Sequence, residues 1–331
     1  MRSEELLFLT PREVQSLLTL DECIAAVEHA FRLYGEGKAE PPAVLSMHSS
    51  DGGFHIKAGW LDLDRRYFAA KMNGNFPENS ARFGRPTIQG VIVLCDAENG
   101  TPLAVMDSRD ITSLRTGAAT AVAAKYLARP DSRIATVCGC GNQGRAQLKA
   151  ISRVRQLRTA FAYDKSAEQA QRFAHELASD LHLSITPVLD LAAAVQQSDI
   201  CVTCTTSQQP LLGLSDVRPG TFISAVGADN PHKQELHPLL MAESKIVVDI
   251  LEQCAVMGDL HHALQAGVVT RADVHAELSE VVAGKRPGRE SQKEIIIFDS
   301  TGMALQDVAA AAILYEKAER LGAGVRLNFA A

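Results

Sequence analysis

Apolar positions along this chain follow two rhythms, and the change between them falls near residue 110. Before it, residues 4–35 read as two helical pieces. Thr10-Pro11-Arg12-Glu13 has the form of a helix start, with a capping Thr, Pro in the first turn and Glu three positions on. Leu20-Asp21-Glu22 opens a second helix, with Ile24, Val27 and Phe31 spaced for one face. Gly35 and Gly37 end it. Over 41–106 the runs FHIKAGW, YFAAKM and IQGVIVLCDAENGTPLAVMD read as strands, with a hairpin turn at Asp96-Ala97-Glu98-Asn99-Gly100. The first part therefore predicts an α+β unit with an antiparallel sheet.

Beyond residue 110 the pattern alternates. ITSLRTGAATAVAAKYLA is helical in period and stops at Pro130-Asp131. RIATVC then reads as a strand, GCGNQG as a loop, RAQLKAISRV as a helix and TAFAYD as a second strand. SAEQAQRFAHELASDL is a helix opened by a Ser cap. LSITPV, DICVTCT, TFISAVG, KIVVDI and EIIIFDS are further short apolar runs. Strands alternating with helices predict a doubly wound parallel sheet. Residues 303–321 read as a long helix that returns to pack on the first domain. The expected fold class is α/β, this parallel sheet plus a smaller α+β domain.

Composition narrows the field. At roughly 150 residues per domain, 331 residues imply about two domains. With 46% apolar and 22% charged residues the chain is globular rather than disordered. A net charge of −6 leaves no basic excess for a general nucleic-acid binder. No window approaches the roughly 18 apolar residues of a membrane helix. The first ten residues, MRSEELLFLT, lack a signal peptide's apolar stretch, so the expectation is a soluble cytoplasmic protein. Seven cysteines make an unlikely disulfide framework in a chain this long. Cys138-x-Cys140 and Cys201-x-x-Cys204 have zinc-like spacing, but both fall in or just after apolar strand runs and read as buried free thiols. His232, His261 and His262 read as structural or surface residues, and no metal is expected.

Gly139-Cys140-Gly141-Asn142-Gln143-Gly144 is a G-x-G-x-x-G that follows a strand and opens a helix, the context a dinucleotide fingerprint requires. Gly139 makes the tight turn, Gly141 admits a pyrophosphate and Gly144 lets helix and strand pack. The helix N-terminus favours the phosphate charge. Asp164, 25 residues beyond Gly139, is placed to bond the ribose hydroxyls and repel a 2′-phosphate. NAD is therefore expected over NADP, a preference that Lys165 weakens without reversing. The Rossmann domain is expected over 116–309, with residues 1–115 and 310–331 forming the substrate-binding and dimerisation domain.

Several pieces in order carry a wider resemblance: AAKMNGNFPEN (69–79), GRPTIQGVIVLCD (84–96), DITSLRTGAATAVAAKYLA (110–128), the GCGNQG loop, AVGADNPHKQEL (225–236) and IFDSTGMALQDVA (297–309). Along nearly its whole length the chain resembles the ornithine cyclodeaminase/mu-crystallin family. That resemblance implies hydride exchange between NAD(P) and the α-carbon of an amino or imino acid, and a homodimer paired through the non-Rossmann domain. It implies that Arg115 grips the substrate carboxylate and that Lys71 lies near it. It makes Asp229 the acid/base, and it implies cofactor contacts at Thr87, Thr205, Val226, Gly227, Lys233 and Ser300.

One departure stands out. Many relatives carry an arginine after the prolines of the first domain as a second carboxylate ligand, and Pro41-Pro42-Ala43-Val44 offers none. Instead His55 and Lys57 share one strand face by period two. Lys57 then either replaces the missing charge or serves a second acidic group. The expected function is an NAD(H)-dependent imine reductase or amino-acid dehydrogenase, with Asp229 or Lys71 supplying the proton. Two alternatives stay open: a cyclodeaminase-type ammonia-lyase with catalytic NAD, and a non-enzymatic mu-crystallin-like ligand binder.

Overall fold

A computed structural model describes residues 5–328; the expected domain ends at 1–4 and 329–331 lie outside these residues. The chain divides into two compact units, one formed by residues up to Arg115 with those from Met303 onward, the other by Thr116–Gly302. The return to the first unit comes at Met303, earlier than the expected residue 310. The reason is that the returning helix starts at Ala304 and packs on that unit along its length.

The first unit opens with β1 (Glu5–Leu9), α1 (Pro11–Leu17) and α2 (Leu20–Gly35). β2 (Ala43–Ser49), β3 (Gly52–Asp62), β4 (Arg66–Asn75), α3 (Asn79–Phe83), β5 (Ile88–Asp96) and β6 (Pro102–Asp107) follow. The unit boundary falls inside α4 (Arg109–Leu127). Residues 5–9 are a strand, not the start of a helix as expected. A short apolar run has no period to distinguish the two, and pairing decides: Leu7 lies opposite Ala104 of β6 in parallel register. Thr10 N donates to Glu13 Oε2 at 2.7 Å, closing the predicted helix start. Thr19 and Glu22 cap α2 reciprocally, and the helix buries Ile24, Val27 and Phe31.

In the second unit β7 (Ile134–Cys138), α5 (Asn142–Val154), β8 (Thr159–Tyr163), α6 (Ala167–Leu181), β9 (Ser184–Pro187), α7 (Leu191–Gln197) and β10 (Ile200–Thr203) alternate as predicted. β11 (Gln208–Leu212), β12 (Phe222–Ala225), β13 (Gln234–Leu236), α8 (Pro238–Ala242) and β14 (Lys245–Val248) come next. α9 (Leu251–Met257), α10 (Asp259–Gln265), β15 (Val274–Glu277), α11 (Leu278–Val282) and β16 (Ile296–Asp299) complete the unit. α12 (Ala304–Leu321) and β17 (Val325–Asn328) then rejoin the first unit.

The first unit's sheet runs β17-β1-β6-β5-β4-β3-β2, antiparallel except at β1–β6. α12 packs on β3, β4 and α2. The opposite face of β2, β3 and β4 is apolar: Leu45 faces Ile56, Met47 faces Phe54 and Ile56 faces Met72 in register. Leu45 is 54% exposed and Met47 62%, so this face is open.

The second unit's main sheet runs β15-β14-β16-β12-β10-β7-β8-β9, all parallel. Val137, Cys201, Ile223 and Phe298 are wholly buried in it, which is why its strands read as continuous apolar runs. Strand order reverses at β7, which has β8 on one side and β10 on the other. Such a reversal opens a ligand crevice beyond the carboxyl ends of the strands. The fold is thus α/β, a Rossmann-type parallel sheet with a second α+β unit. Among the described residues no helix is long and apolar enough to cross a membrane.

Candidate active site

The glycine loop sits at that reversal, between β7 and α5. Gly139 has φ +102 and donates its N–H to Tyr163 O at 2.8 Å, a turn only glycine makes without strain. A Cβ on Gly144 would lie 2.1 Å from Gly139 O, so that glycine serves the packing of the fold itself. A Cβ on Gly141 would meet nothing within 4 Å. Its lack of a side chain answers no need of the fold and leaves a cradle that a Cβ would fill. Asn142 and Gln143 open α5, and Gln143 Oε1 is buried without a hydrogen-bond partner among the described residues. Asp164 follows β8 and accepts from Cys140 N at 2.9 Å and from Ser166 N at 3.0 Å. A cavity of about 380 Å³ is lined by Gly139, Gly141, Asp164, Lys165, Cys204 and Thr205. The donor set fits a dinucleotide: helix N–H groups for phosphate, a carboxylate for ribose hydroxyls.

Buried acids hold the neighbouring loops. Thr205 N and Oγ1 donate to Glu235 Oε1 at 2.6 and 2.7 Å, and Gly227 N donates to Glu235 Oε2 at 2.9 Å. One carboxylate therefore ties the loop after β10 to the loop after β12. Glu235 N and Leu236 N each donate to Asp259 Oδ1 at 2.8 Å. Leu260 N donates to Asp299 Oδ2 at 2.9 Å. Burial raises the Glu235 carboxyl and pushes Asp299 up to about 7. Glu235 was not singled out from the sequence, because it lies in the polar run DNPHKQELHP (229–238), where nothing local marks a buried acid.

The remaining expected cofactor residues differ in placement. Val226 N donates to Thr203 O at 2.9 Å. Ser300 is buried and its hydroxyl donates to Asp249 Oδ2 at 2.8 Å. Thr87 belongs to the first unit, where its carbonyl accepts from Phe76 N at 2.9 Å. Asp229, whose side chain is 52% exposed, lies 2.7 Å from Lys233 Nζ through Oδ1.

In the first unit the structure gathers Lys71, Arg115 and an acid that the sequence reading did not single out, Asp307. Lys71 comes from β4, Arg115 from α4 and Asp307 from the first turns of α12, and all three are buried. Lys71 Nζ donates to Asp307 Oδ1 at 2.9 Å. Arg115 Nε lies 2.9 Å from the same oxygen, and Arg115 Nη1 donates to Gln306 Oε1 at 2.9 Å. Burial, then the Arg115 and Lys57 cations, pull Lys71 down to about 7, with Asp307 opposing. Burial alone would raise Asp307, but Arg115 and Lys71 outweigh it and hold its carboxyl below the usual range. Gln306 Nε2 is buried and has no hydrogen-bond partner among the described residues. Lys57 of β3 lies directly opposite Lys71, and His55 lies opposite Asn73. The predicted pairing of His55 and Lys57 on one face thus also includes Lys71. A carboxylate inside the Ala-rich run ALQDVAAAA was the available signal for Asp307.

All seven cysteines are free, and among the described residues no group of three or more His, Cys, Asp or Glu is arranged to hold a metal ion.

The model of the ornithine cyclodeaminase/mu-crystallin family matches residues 4–321, and the chain belongs to that family. Three solved structures are similar. An archaeal alanine dehydrogenase dimer with bound NAD is 42% identical, with a TM-score of 0.93 over 98% of this chain and 99% of that one. The Delta(1)-pyrroline-2-carboxylate reductase of Thermococcus litoralis, in complex with NADH and L-proline, is 35% identical, with a TM-score of 0.93 over 97% and 100%. The iminosuccinate reductase of Paracoccus denitrificans, in complex with NAD+, is 30% identical, with a TM-score of 0.90 over 98% and 99%.

Proposed function

We propose that this protein is an NAD(H)-dependent oxidoreductase acting on a small 2-imino or 2-amino acid. The observation that carries the reading is the buried cluster of Lys71, Arg115 and Asp307, a carboxylate-binding and proton-handling group in a chain that also holds a dinucleotide cradle. The relatives that bind NAD or NADH and act on amino or imino acids support it.

In this reading the second unit holds the cofactor and the first holds the substrate. The helix N-terminus at Gly141–Gln143 takes the pyrophosphate and Asp164 the ribose, which favours NAD over NADP. NADH bound there supplies hydride for the α-carbon. Arg115 holds the substrate carboxylate with parallel hydrogen bonds and fixes the α-carbon's orientation. Lys71, at about 7, exchanges its proton near neutral pH and delivers it to the nitrogen. Asp307 positions both cations. Asp229, more exposed and ion-paired with Lys233, is the rival proton donor. A cyclodeaminase would need an acid for a distal amine, and the position opposite Lys71 is instead the cation Lys57.

The open apolar face of β2–β4 pairs with a second copy of the chain in this reading, as the archaeal dimer supports. The seven free thiols suit a reducing cytoplasm. NADH oxidation on a panel of 2-oxo acids with ammonia or methylamine, and on preformed cyclic imines, tests the activity. Loss of NADH with an amino-acid product is expected. Proline and ammonia from ornithine with no net change in NADH would replace the reading with a cyclodeaminase.

A further inference from the structure

Three acids of the second unit, Glu235, Asp259 and Asp299, are wholly buried and lie in a row. Asp259 accepts from Glu235 N, and Asp299 accepts from Asp259 N at 3.3 Å and Leu260 N at 2.9 Å. The fit is close: a Cβ on Gly258 would lie 2.4 Å from Asp299 Oδ2, and one on Gly227 2.4 Å from Glu235 Oε1. Among the described residues no Lys, Arg or His forms an ion pair with any of the three. Lys233, His261 and His262, on the same segments, turn to Asp229 Oδ1, Ala255 O and Lys233 O. The other titratable groups facing the row are Asp249, after β14, and the thiols Cys138, Cys201, Cys204 and Cys254, all raised by burial. Carboxylates that share a site without a cation do not all ionise together. Asp259 Oδ2 has no hydrogen-bond partner, and a buried charge without one is costly, so Asp259 keeps its proton. Burial brings Asp299 to about 7, against the Leu260 N–H and with Asp249.

Asp299 ends β16, directly opposite Ala225 at the end of β12. Glu235 holds the loops that follow β10 and β12. These strands lie on the far side of β7 from β8 and Asp164. A dinucleotide with its ribose at Asp164 and its phosphates at the glycine loop has its nicotinamide half on their side.

We infer that Asp299, with Glu235 and Asp259, is a positioning residue for the nicotinamide half of the cofactor, and that the proton it exchanges sets the preference between the oxidised and reduced forms. The inference rests on the cofactor placement in the proposed function. The ring of NAD+ carries a positive charge and that of NADH carries none. Asp299 is neutral when protonated; once ionised it adds a negative charge that favours the NAD+ ring. NAD+ therefore gains on NADH as pH rises. Lys71 also exchanges a proton near neutral pH, so binding rather than turnover separates the two groups.

The test measures Kd for NADH by fluorescence, and for NAD+ by competition against it, from about pH 6 to about pH 9. Wild type, Asp299→Asn and Lys71→Met are compared. The ratio of the NAD+ Kd to the NADH Kd should fall about tenfold across that range in the wild type, the effect of one unit charge about 10 Å away at an effective dielectric of about 20. It should fall as much in Lys71→Met and change by less than about twofold in Asp299→Asn. Titration calorimetry in two buffers of different ionisation enthalpy should show NADH taking up more protons on binding than NAD+. A wild-type ratio independent of pH, a slope that survives Asp299→Asn, or a slope lost in Lys71→Met overturns the inference and leaves the oxidoreductase reading standing. Should Asp299→Asn fail to fold, the proton counts in Lys71→Met decide, and equal uptake with both forms overturns the inference. Failure to bind either form at any pH removes the cofactor placement and this inference with it.

Discussion

In the first unit a buried carboxylate, Asp307, is compensated by side-chain cations, Lys71 and Arg115. In the second, Glu235, Asp259 and Asp299 are met by backbone N–H groups of the loops they bind. The two solutions have different consequences. Burial brings both Lys71 and Asp299 to about 7, but Lys71 faces only side chains, whereas the Asp299 oxygens are taken by backbone N–H groups. Backbone compensation fixes the loops at Thr205 and Gly227 instead. In the proposed reading the first cluster exchanges a proton with a ligand, while the second holds the shape of its loops.

The largest test of that difference is Lys71→Met. It should lower kcat by about 10²–10⁴-fold while NADH binding, read by fluorescence, stays intact. Asp229→Asn should lower kcat less; the reverse order would make Asp229 the donor. The wild-type pH profile carries the same sign. Lys71 must be protonated to donate, so reductive kcat should fall as pH rises through about 7, and the oxidative direction should show the opposite slope.

Asp307→Asn comes next. It leaves two buried cations uncompensated and should cost about 3–5 kcal/mol in urea unfolding. It also removes the charge that holds Lys71 up, so the reductive pH midpoint should move below 7. A midpoint that moves upward would refute the assignment.

Glu235→Gln should cost about 1–3 kcal/mol, because one loop donor loses a charged acceptor. Its effect should appear in the NADH Kd more than in kcat at saturating NADH. An effect on kcat alone would move Glu235 from a loop anchor to the chemistry.

The smallest stability effect separates two glycines. Gly141→Ala meets open space, so stability should stay within about 0.5 kcal/mol while NADH binding falls. Gly144→Ala places a Cβ 2.1 Å from Gly139 O and should destabilise the fold itself. Equal loss of stability in both would remove the distinction between cradle and packing.

Much of the second unit was legible because its signals are local. The Gly139–Gly144 loop, the Ser166 cap and the apolar strand runs each declare themselves within a few residues. The first unit was harder. ELLFL at 5–9 reads as either helix or strand until β6 and β17 pair with it. β2 has too few apolar positions in alternation to stand out. Asp307 lies 236 residues from Lys71, and only the fold brings them together. Glu235 acts on Thr205 across 30 residues for the same reason. Lys57 was visible as a face-sharing partner of His55, but its position opposite Lys71 required the strand register.

The central claim is hydride exchange at the α-carbon, and isotope transfer tests it most directly. The protein would be given NADH deuterated at C4, in each stereochemical form, with oxaloacetate or pyruvate plus ammonium. One form should yield an amino acid heavier by one deuterium at its α-carbon, with equal loss of NADH. An amino acid without deuterium from either form, or no amino acid at all, would contradict the account.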